Sequence, residues 1–405
     1  MLSTRKKWIV FALVFFGIII SYIDRGNLSI AAVAIMRDLS LEPERMGLLL
    51  SVFFWTYALF QMPAGFLIDR FGIRVCYAVA FTLWSLASAS IALSRGSGDI
   101  VASRLFLGFA ESVGPLASLA FIRRYFQAEE RGLPTSLYIG GQTLGPALGT
   151  LLGTMVLTHY GWRTLFAVTG LGALIWVPLW VALAPGNRDP KPSQIISDES
   201  TTLLSLLSSQ RVWALSGCIF FSSYFWYFVM TWMPGYMTMA RGFTTATMGK
   251  TLSVPLFAMA ATNLLTGWLA DRFVTRTGQR IKVRVLFGTS GMLCASSLLL
   301  LNVAQIPVLP VLLLAICGFG VASSSMWTIA QTLASASVVG RFIGFLNTLS
   351  QIAGAVAPLI TGWTLGPKHN FQFAIWIAGL APLVAAACLV TVQRSTGSTP
   401  ASASG

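Results

Sequence analysis

The chain has 405 residues, of which 55% are hydrophobic and only 10% charged, with 27 Lys and Arg against 13 Asp and Glu. A soluble domain carries about 25% charged residues, so this balance excludes a soluble globular protein and reads as an integral membrane protein. The formal net charge of +14 suits either nucleic acid or an anionic membrane surface, and the placement of the basic residues decides between them.

A helix of about 20 apolar residues crosses a bilayer core. Blocks of that length recur near 9–36, 46–68, 75–94, 99–122, 132–157, 163–184, 212–237, 249–270, 284–304, 307–331, 341–365 and 371–392. They predict an all-α membrane protein of twelve transmembrane helices. The first block follows Arg5, Lys6 and Lys7 and contains Ala-Ala-Val-Ala at 31–34, a pattern shared with cleaved signal peptides. Its length, its embedded Asp24-Arg25 pair and the spans that follow make it a membrane span instead.

Alternating the loops from a cytoplasmic amino terminus gathers most basic residues on one side, among them Arg70, Arg74, Arg123, Arg124, Arg131, Arg272, Arg276, Arg280 and Lys282. The opposite side receives Arg37, Arg45, Arg95, Arg163, Arg241, Lys250 and Lys368. By the positive-inside rule both termini are cytoplasmic. Anionic lipid head groups then account for the basic excess, and no nucleic acid partner is required.

The chain reads as two halves: a six-helix bundle over 1–184, a cytoplasmic linker over 185–210, a second six-helix bundle over 211–394 and a disordered tail over 395–405. The linker is the longest polar stretch and carries Pro185, Gly186, Pro190, Pro192 and the acidic Asp198-Glu199. An internal repeat supports the division. Gly65-Phe-Leu-Ile-Asp69-Arg70-Phe71-Gly72 closes the second span, and Gly267-Trp-Leu-Ala-Asp271-Arg272-Phe273 closes the eighth, half a chain later. Parallel six-helix halves belong to rocking transporters.

The Gly-x-x-x-Asp-Arg-x-Gly signature, its weaker copy, and Gly141-x-x-x-Gly145-Pro146-x-x-Gly149 in the fifth span resemble the major facilitator superfamily, over about residues 8 to 394. More narrowly, Tyr22-x-Asp24-Arg25-x-Asn27 and Arg104-x-x-x-Gly108-x-x-Glu111 resemble its anion:cation symporters, a family of galactonate, glucarate and hexuronate transporters and sialin-like carriers. The resemblance implies that Asp69, Arg70 and Arg74, with Asp271 and Arg272, form a gating latch at the cytoplasmic membrane edge, and that substrate binds at Arg25. The glycine-proline pattern of the fifth span also occurs in antiporters, but small residues simply permit close helix contact.

Asp24, Arg25, Arg104 and Glu111 lie where hydrocarbon is expected. An ionised group at the centre of a membrane helix costs about 2.5 to 3.5 kcal/mol on insertion scales, so it survives by lining a polar cavity or meeting a partner. Arg104 and Glu111 are two turns apart on one helical face. With both acids ionised the four charges sum to zero. One monovalent anion leaves the cavity negative, and one proton restores neutrality. Two like charges about 6 Å apart, at an effective dielectric near 20, repel by roughly 3 kcal/mol. Anion and proton therefore bind together, which is symport.

Arg25 presents a planar fork that holds a carboxylate with two donors. Arg104 is read as the switching partner of Asp24 and Glu111. Both acids are proton-site candidates, since a desolvated carboxylate takes up a proton more readily; which of them carries the coupled proton stays open. Permanent pairing of these acids with the two arginines is the structural alternative. Tyr22, Tyr57 and Gln142 supply neutral polar groups in the first half. Ser324, Trp327, Thr328 and Asn347 do so in the second, with Ser222, Ser223 and Tyr224 as weaker candidates, although Ser and Thr in membrane helices more often serve packing. Hydroxyl-binding side chains suit a polyhydroxylated acid, with Trp327 stacking on a carbon face.

The expected function is proton-coupled uptake of an organic anion, a sugar acid such as a hexonate, hexuronate or glucarate, across the inner membrane by a monomer. An anion exchanger or facilitator keeps the arginines without titrating Asp24 or Glu111. A proton-driven exporter of cationic drugs is opposed by two arginines in the cavity. An enzyme needs a catalytic cluster, and the two histidines, His159 and His369, fall in loops. No cofactor or metal is expected, and the five cysteines read as small packing residues.

Overall fold

Helices account for the spans in the computed structural model, which describes residues 3–127, 130–186, 208–303, 305–334, 339–366 and 369–394. Residues 187–207 of the expected linker and all of the tail 395–405 lie outside the described residues. The helices are α1 (Thr4–Asp38), α2 (Pro43–Phe71), α3 (Ile73–Ser90), α4 (Ser97–Glu111), α5 (Val113–Tyr125), α6 (Gly132–Ala173), α7 (Trp176–Leu183) and α8 (Gln210–Gly235), followed by α9 (Thr245–Thr277), α10 (Arg280–Ala295), α11 (Val308–Leu333), α12 (Val339–Leu365) and α13 (Gln372–Arg394). No strand occurs among the described residues.

Local sequence explains where the chain bends. Pro43 starts α2, where its missing N–H costs nothing, and Gly72, at φ 83°, separates α2 from α3. Within α2, Pro63 interrupts the hydrogen-bond ladder and the axis turns by 53°. The fourth span is broken into α4 and α5 at Ser112, whose hydroxyl bonds back to the Phe109 carbonyl at 2.7 Å. The fifth and sixth spans are continuous in α6 except at Gly161, at φ 79°, and the sixth is completed by α7. With these breaks, the ten long apolar helices and the bent α2 resolve into the twelve crossings of the sequence reading.

The chain packs as two units. The first takes residues 1–193 together with 229–254 and 355–371; the second takes 194–228, 255–354 and 372–405. The second half of the sequence therefore lends two stretches to the first unit. There the Ser29 hydroxyl donates to the Thr231 carbonyl at 2.6 Å, and the Trp232 indole donates to the Pro358 carbonyl at 3.0 Å. An aromatic stack of Phe81 on Trp176 (4.0 Å between centroids) and Trp176 on Trp180 (5.0 Å) fills the first unit. Both indole N–H groups reach backbone oxygens, on Leu13 at 2.8 Å and Arg74 at 3.0 Å, so the polar edges of these rings are satisfied. At the mouth of the first unit, the Lys7 ammonium donates to Glu130 at 2.6 Å and holds that carboxyl below its ordinary pKa. The second unit is centred on Leu215, Cys218, Met292, Met326, Phe342 and Leu389, and the five cysteines are unpaired.

Two glycines set the helix contacts on which the charged residues depend. A Cβ on Gly145 of α6 would lie 2.6 Å from the Tyr22 Cβ and 2.9 Å from the Ile19 carbonyl, so α1 rests directly on the α6 backbone. A Cβ on Gly108 of α4 would lie 2.2 Å from the Phe53 carbonyl of α2, and the Thr56 hydroxyl ties the same crossing to the Leu105 carbonyl at 2.7 Å. Gly108→Val should overpack this crossing at a cost of about 1 to 3 kcal/mol, read as a lowered melting temperature in detergent. Gly140→Val, which meets no atom within 4 Å, should melt like the wild type.

Candidate functional site

Ser21 and Arg25 are one turn apart on α1 and face α4. There the Arg25 Nε donates to the Glu111 Oε2 at 2.7 Å, and the Ser21 hydroxyl donates to the same oxygen at 3.0 Å. The Arg25 guanidinium lies 4.4 Å from the Tyr57 ring, 4.8 Å from Tyr22 and 5.0 Å from Phe53. Three aromatic faces thus enclose it, an arrangement that favours a cation with little water. The Arg104 guanidinium lies 4.9 Å from the centre of the same Phe53 ring and is almost fully buried.

The partners differ from the sequence expectation. Arg104, read as the switching partner of the two acids, makes no ion pair among the described residues, and its Nε and Nη1 have no hydrogen-bond partner there. The ion pair falls instead to Arg25 and Glu111. Asp24 is buried against α3, where its Oδ1 accepts from the Ser88 hydroxyl at 3.1 Å while its Oδ2 has no partner. The reason is helical geometry: adjacent residues point about 100° apart. Asp24 and Arg25 therefore face different neighbours. A turn further along, the Asn27 amide donates to Thr169 of α6 at 3.0 Å.

The remaining candidates divide by unit. Tyr57 is buried and stacks on Phe53 at 5.3 Å. Gln142 is half-buried on α6, one turn beyond the buried Tyr138. In the second unit the Thr328 hydroxyl bonds back to the Ser324 carbonyl at 2.8 Å, a helix-internal contact. Trp327 packs against the apolar core of that unit. Asn347 accepts from the Gln351 amide at 3.4 Å, and the Gln351 oxygen accepts from the Tyr227 hydroxyl at 3.2 Å. Ser223 and Ser350 share a hydrogen bond of 2.8 Å.

At the Asp69-Arg70 motif that closes α2, Arg74 donates to the Val181 carbonyl of α7, and the Arg70 guanidinium lies 5.4 Å from the Phe71 ring. Asp69 is exposed. In the copy of the motif, Asp271 pairs with Arg284, while Arg272 lies 5.5 Å from the Trp268 ring.

Thr169, Tyr227 and Ser350 at these sites escaped the sequence reading, as did Ser21, Phe53, Ser88 and Gln351. Ser21 and Phe53 each lie four positions before a named residue, Arg25 and Tyr57, and Gln351 lies four after Asn347, so helical spacing pointed to all three. Ser88 has no such local signal, because it meets Asp24 only through tertiary packing.

The sequence profile of the Major Facilitator Superfamily matches residues 14–358. The chain belongs to the Major Facilitator Superfamily. Among relatives in this superfamily, the probable galactarate/D-glucarate transporter GarP of Escherichia coli K12 is 27% identical, with 96% of this chain and 95% of that protein aligned. The D-galactonate transporter of Escherichia coli O6:H1 is 25% identical over 94% of each chain. In fold, the chain is similar to the crystal structure of a bacterial homolog of the human lysosomal transporter Spinster in an inward-facing and unoccupied conformation. That match has a TM-score of 0.79 at 16% identity and covers 99% of this chain and 100% of the other. The protein is a multi-pass membrane transporter.

Removing one partner of a buried ion pair leaves an uncompensated charge and costs about 3 to 5 kcal/mol, whereas replacing both with apolar groups is often neutral. Arg25→Leu should therefore lower the melting temperature in detergent sharply, and Arg25→Leu/Glu111→Leu should recover most of the loss.

Proposed function

We propose that the protein takes up a sugar acid together with a proton, with both termini cytoplasmic, in the inner membrane, acting as a monomer. Two relatives named for sugar acids, galactarate/D-glucarate and D-galactonate, support the substrate class. The observation that carries the mechanism is the Arg25–Glu111 contact.

Arg25 engages Glu111 through Nε, and its Nη2 has no partner among the described residues. A substrate carboxylate needs both donors of the fork. It therefore competes with Glu111 for this cation. Once displaced, an ionised Glu111 would be a buried charge without its partner, a state that costs several kcal/mol. Uptake of one proton removes that charge, which couples anion binding to proton binding. Arg104, with unpartnered N–H groups against the shared Phe53 ring, adds positive potential for the same carboxylate. Asp24 holds a second acid near this charge balance, its Oδ1 already engaged by Ser88 and its Oδ2 open to a proton. Tyr22, Tyr57 and Gln142 are assigned to the hydroxyl-bearing carbon chain. Asp69, Arg70, Arg74, Asp271 and Arg272 are assigned to gating.

Arg25→Lys keeps the charge and loses the planar two-donor geometry. Losing a charge-assisted hydrogen bond costs about 1.5 to 3 kcal/mol, or roughly ten- to hundredfold in affinity. Calorimetric titration of sugar acids in detergent should show that loss with the melting temperature nearly unchanged; normal affinity would move the carboxylate site to Arg104.

Glu111→Gln mimics the protonated acid. In proteoliposomes it should retain equilibrium counterflow of the sugar acid and lose accumulation driven by an inward proton gradient. Continued accumulation by Glu111→Gln would remove Glu111 as the coupling residue, and accumulation by Asp24→Asn as well would replace symport with exchange or facilitated diffusion.

A further inference from the structure

Within the first unit, two helix breaks line one groove together with α3. On one side is the 53° bend of α2 at Pro63. On the other is the Ser112 break between α4 and α5. A bent helix and a broken one cannot both follow a straight neighbour, and they leave a groove of about 200 Å³. Its walls are Phe60, Ala64 and Leu67 from α2, Val79 and Leu83 from α3, and Phe109 beside the break. Phe60 and Phe109 close one end edge to face, with ring centroids 4.7 Å apart. The other end opens at Phe71, beneath the Arg70 guanidinium.

Three properties decide what fits. The groove is lined by apolar side chains, so a polar substrate gains nothing there, whereas an alkyl chain from the bilayer enters without losing any hydration and gains packing contacts. Its outer rim continues into the exposed apolar residues Phe66, Val75 and Val79, which belong to the lipid-facing surface of a membrane transporter. At its open end the exposed Arg70 guanidinium lies over the Phe71 ring, so this rim carries a positive charge. Arg74 is committed to the Val181 carbonyl, whereas the Arg70 side chain is exposed. An apolar slot with a cationic rim matches an anionic phospholipid, one acyl chain inside and the phosphate at Arg70.

We propose that this groove is a specific binding site for one anionic phospholipid of the bilayer. The site has a functional consequence because of what lies behind it. Ala110, Ser112 and Val113 form its inner wall, and Ala110 immediately precedes Glu111, whose carboxylate holds Arg25. The seated chain fills the space left by the α4–α5 break and so fixes the backbone that carries Glu111.

Native mass spectrometry of the detergent-purified protein, titrated with phosphatidylglycerol or phosphatidylcholine of the same acyl chains, tests the assignment. The expected result is one tightly held phosphatidylglycerol, favoured roughly fivefold over phosphatidylcholine, which is the worth of about one basic residue at a membrane surface. Arg70→Gln should keep the lipid and erase that preference. Ala80→Trp, which fills the buried wall of α3, should lose it. As Ala80→Trp risks misfolding, a second measurement uses the wild type: Cys76 lines the groove, and phosphatidylglycerol should slow its alkylation, mapped by peptide mass, while glycerol phosphate does not. Equal lipid retention by Arg70→Gln, wild type and a folded Ala80→Trp would overturn the proposal, as would unchanged Cys76 alkylation. A protein that dimerises through this face, with Cys76 protected by concentration and not by lipid, would assign the groove to a second copy instead.

Discussion

The contact between Arg25 and Glu111 is the constraint around which the first unit is organised. Two full charges in a membrane interior are tolerable only when each supplies the other's counterion, and the chain spends its most specialised positions on bringing them together. Gly145 lets α1 lie on the α6 backbone, Gly108 lets α4 lie on α2, and the aromatic faces of Tyr22, Phe53 and Tyr57 exclude water from the guanidinium. Gly108 lies between Arg104 and Glu111 on α4, and Gly145 meets Tyr22, three residues before Arg25. The packing of these helices and the chemistry between them are one requirement met by the same sequence stretches.

Much of this was legible in the sequence, and the limits are instructive. Twelve spans follow from the length of each apolar block, because a bilayer imposes that length regardless of what a helix packs against. The four intramembrane charges are equally visible, since few residues of that type can sit there without cause. The choice of partners is not. Sequence spacing says that Arg104 and Glu111 share a face of one helix, but whether the neighbour across that face is Asp24 or Arg25 depends on the rotation of α1, which Gly145 and its contacts with Tyr22 and Ile19 set. Ser88 finds Asp24 through the packing of α3, and nothing in its own neighbourhood announces this. Likewise, the polar linker divides the sequence into halves, whereas the packing gives residues 229–254 and 355–371 to the first unit, because contacts follow helix ends in space and not the midpoint of the chain.

The second unit shows the opposite electrostatic character. Across the middle of α8, α11 and α12 its polar groups are hydroxyls and amides: Ser223, Tyr227, Ser324, Thr328, Asn347, Ser350 and Gln351. Several of them spend hydrogen bonds on one another or on their own helix. Neutral groups of this kind can exchange one partner for another at small cost, because no buried ion is left behind when they do. The buried four-charge cluster of Asp24, Arg25, Arg104 and Glu111 belongs to the first unit alone.

The partners of Asp24 and Arg25 also dictate an order of synthesis. Both residues lie in α1, which is made before α3 and α4, the helices that carry Ser88 and Glu111. Until those helices emerge from the ribosome, α1 carries two unmatched charges into hydrocarbon, each unfavourable by about 2.5 to 3.5 kcal/mol. Newly made α1 therefore has reason to linger at the insertion machinery, in contact with water or protein, and to enter the lipid only with its later neighbours. The buried charges that the finished unit pairs and hydrogen-bonds thus make α1 a poor membrane anchor by itself, and they tie its insertion to that of α3 and α4.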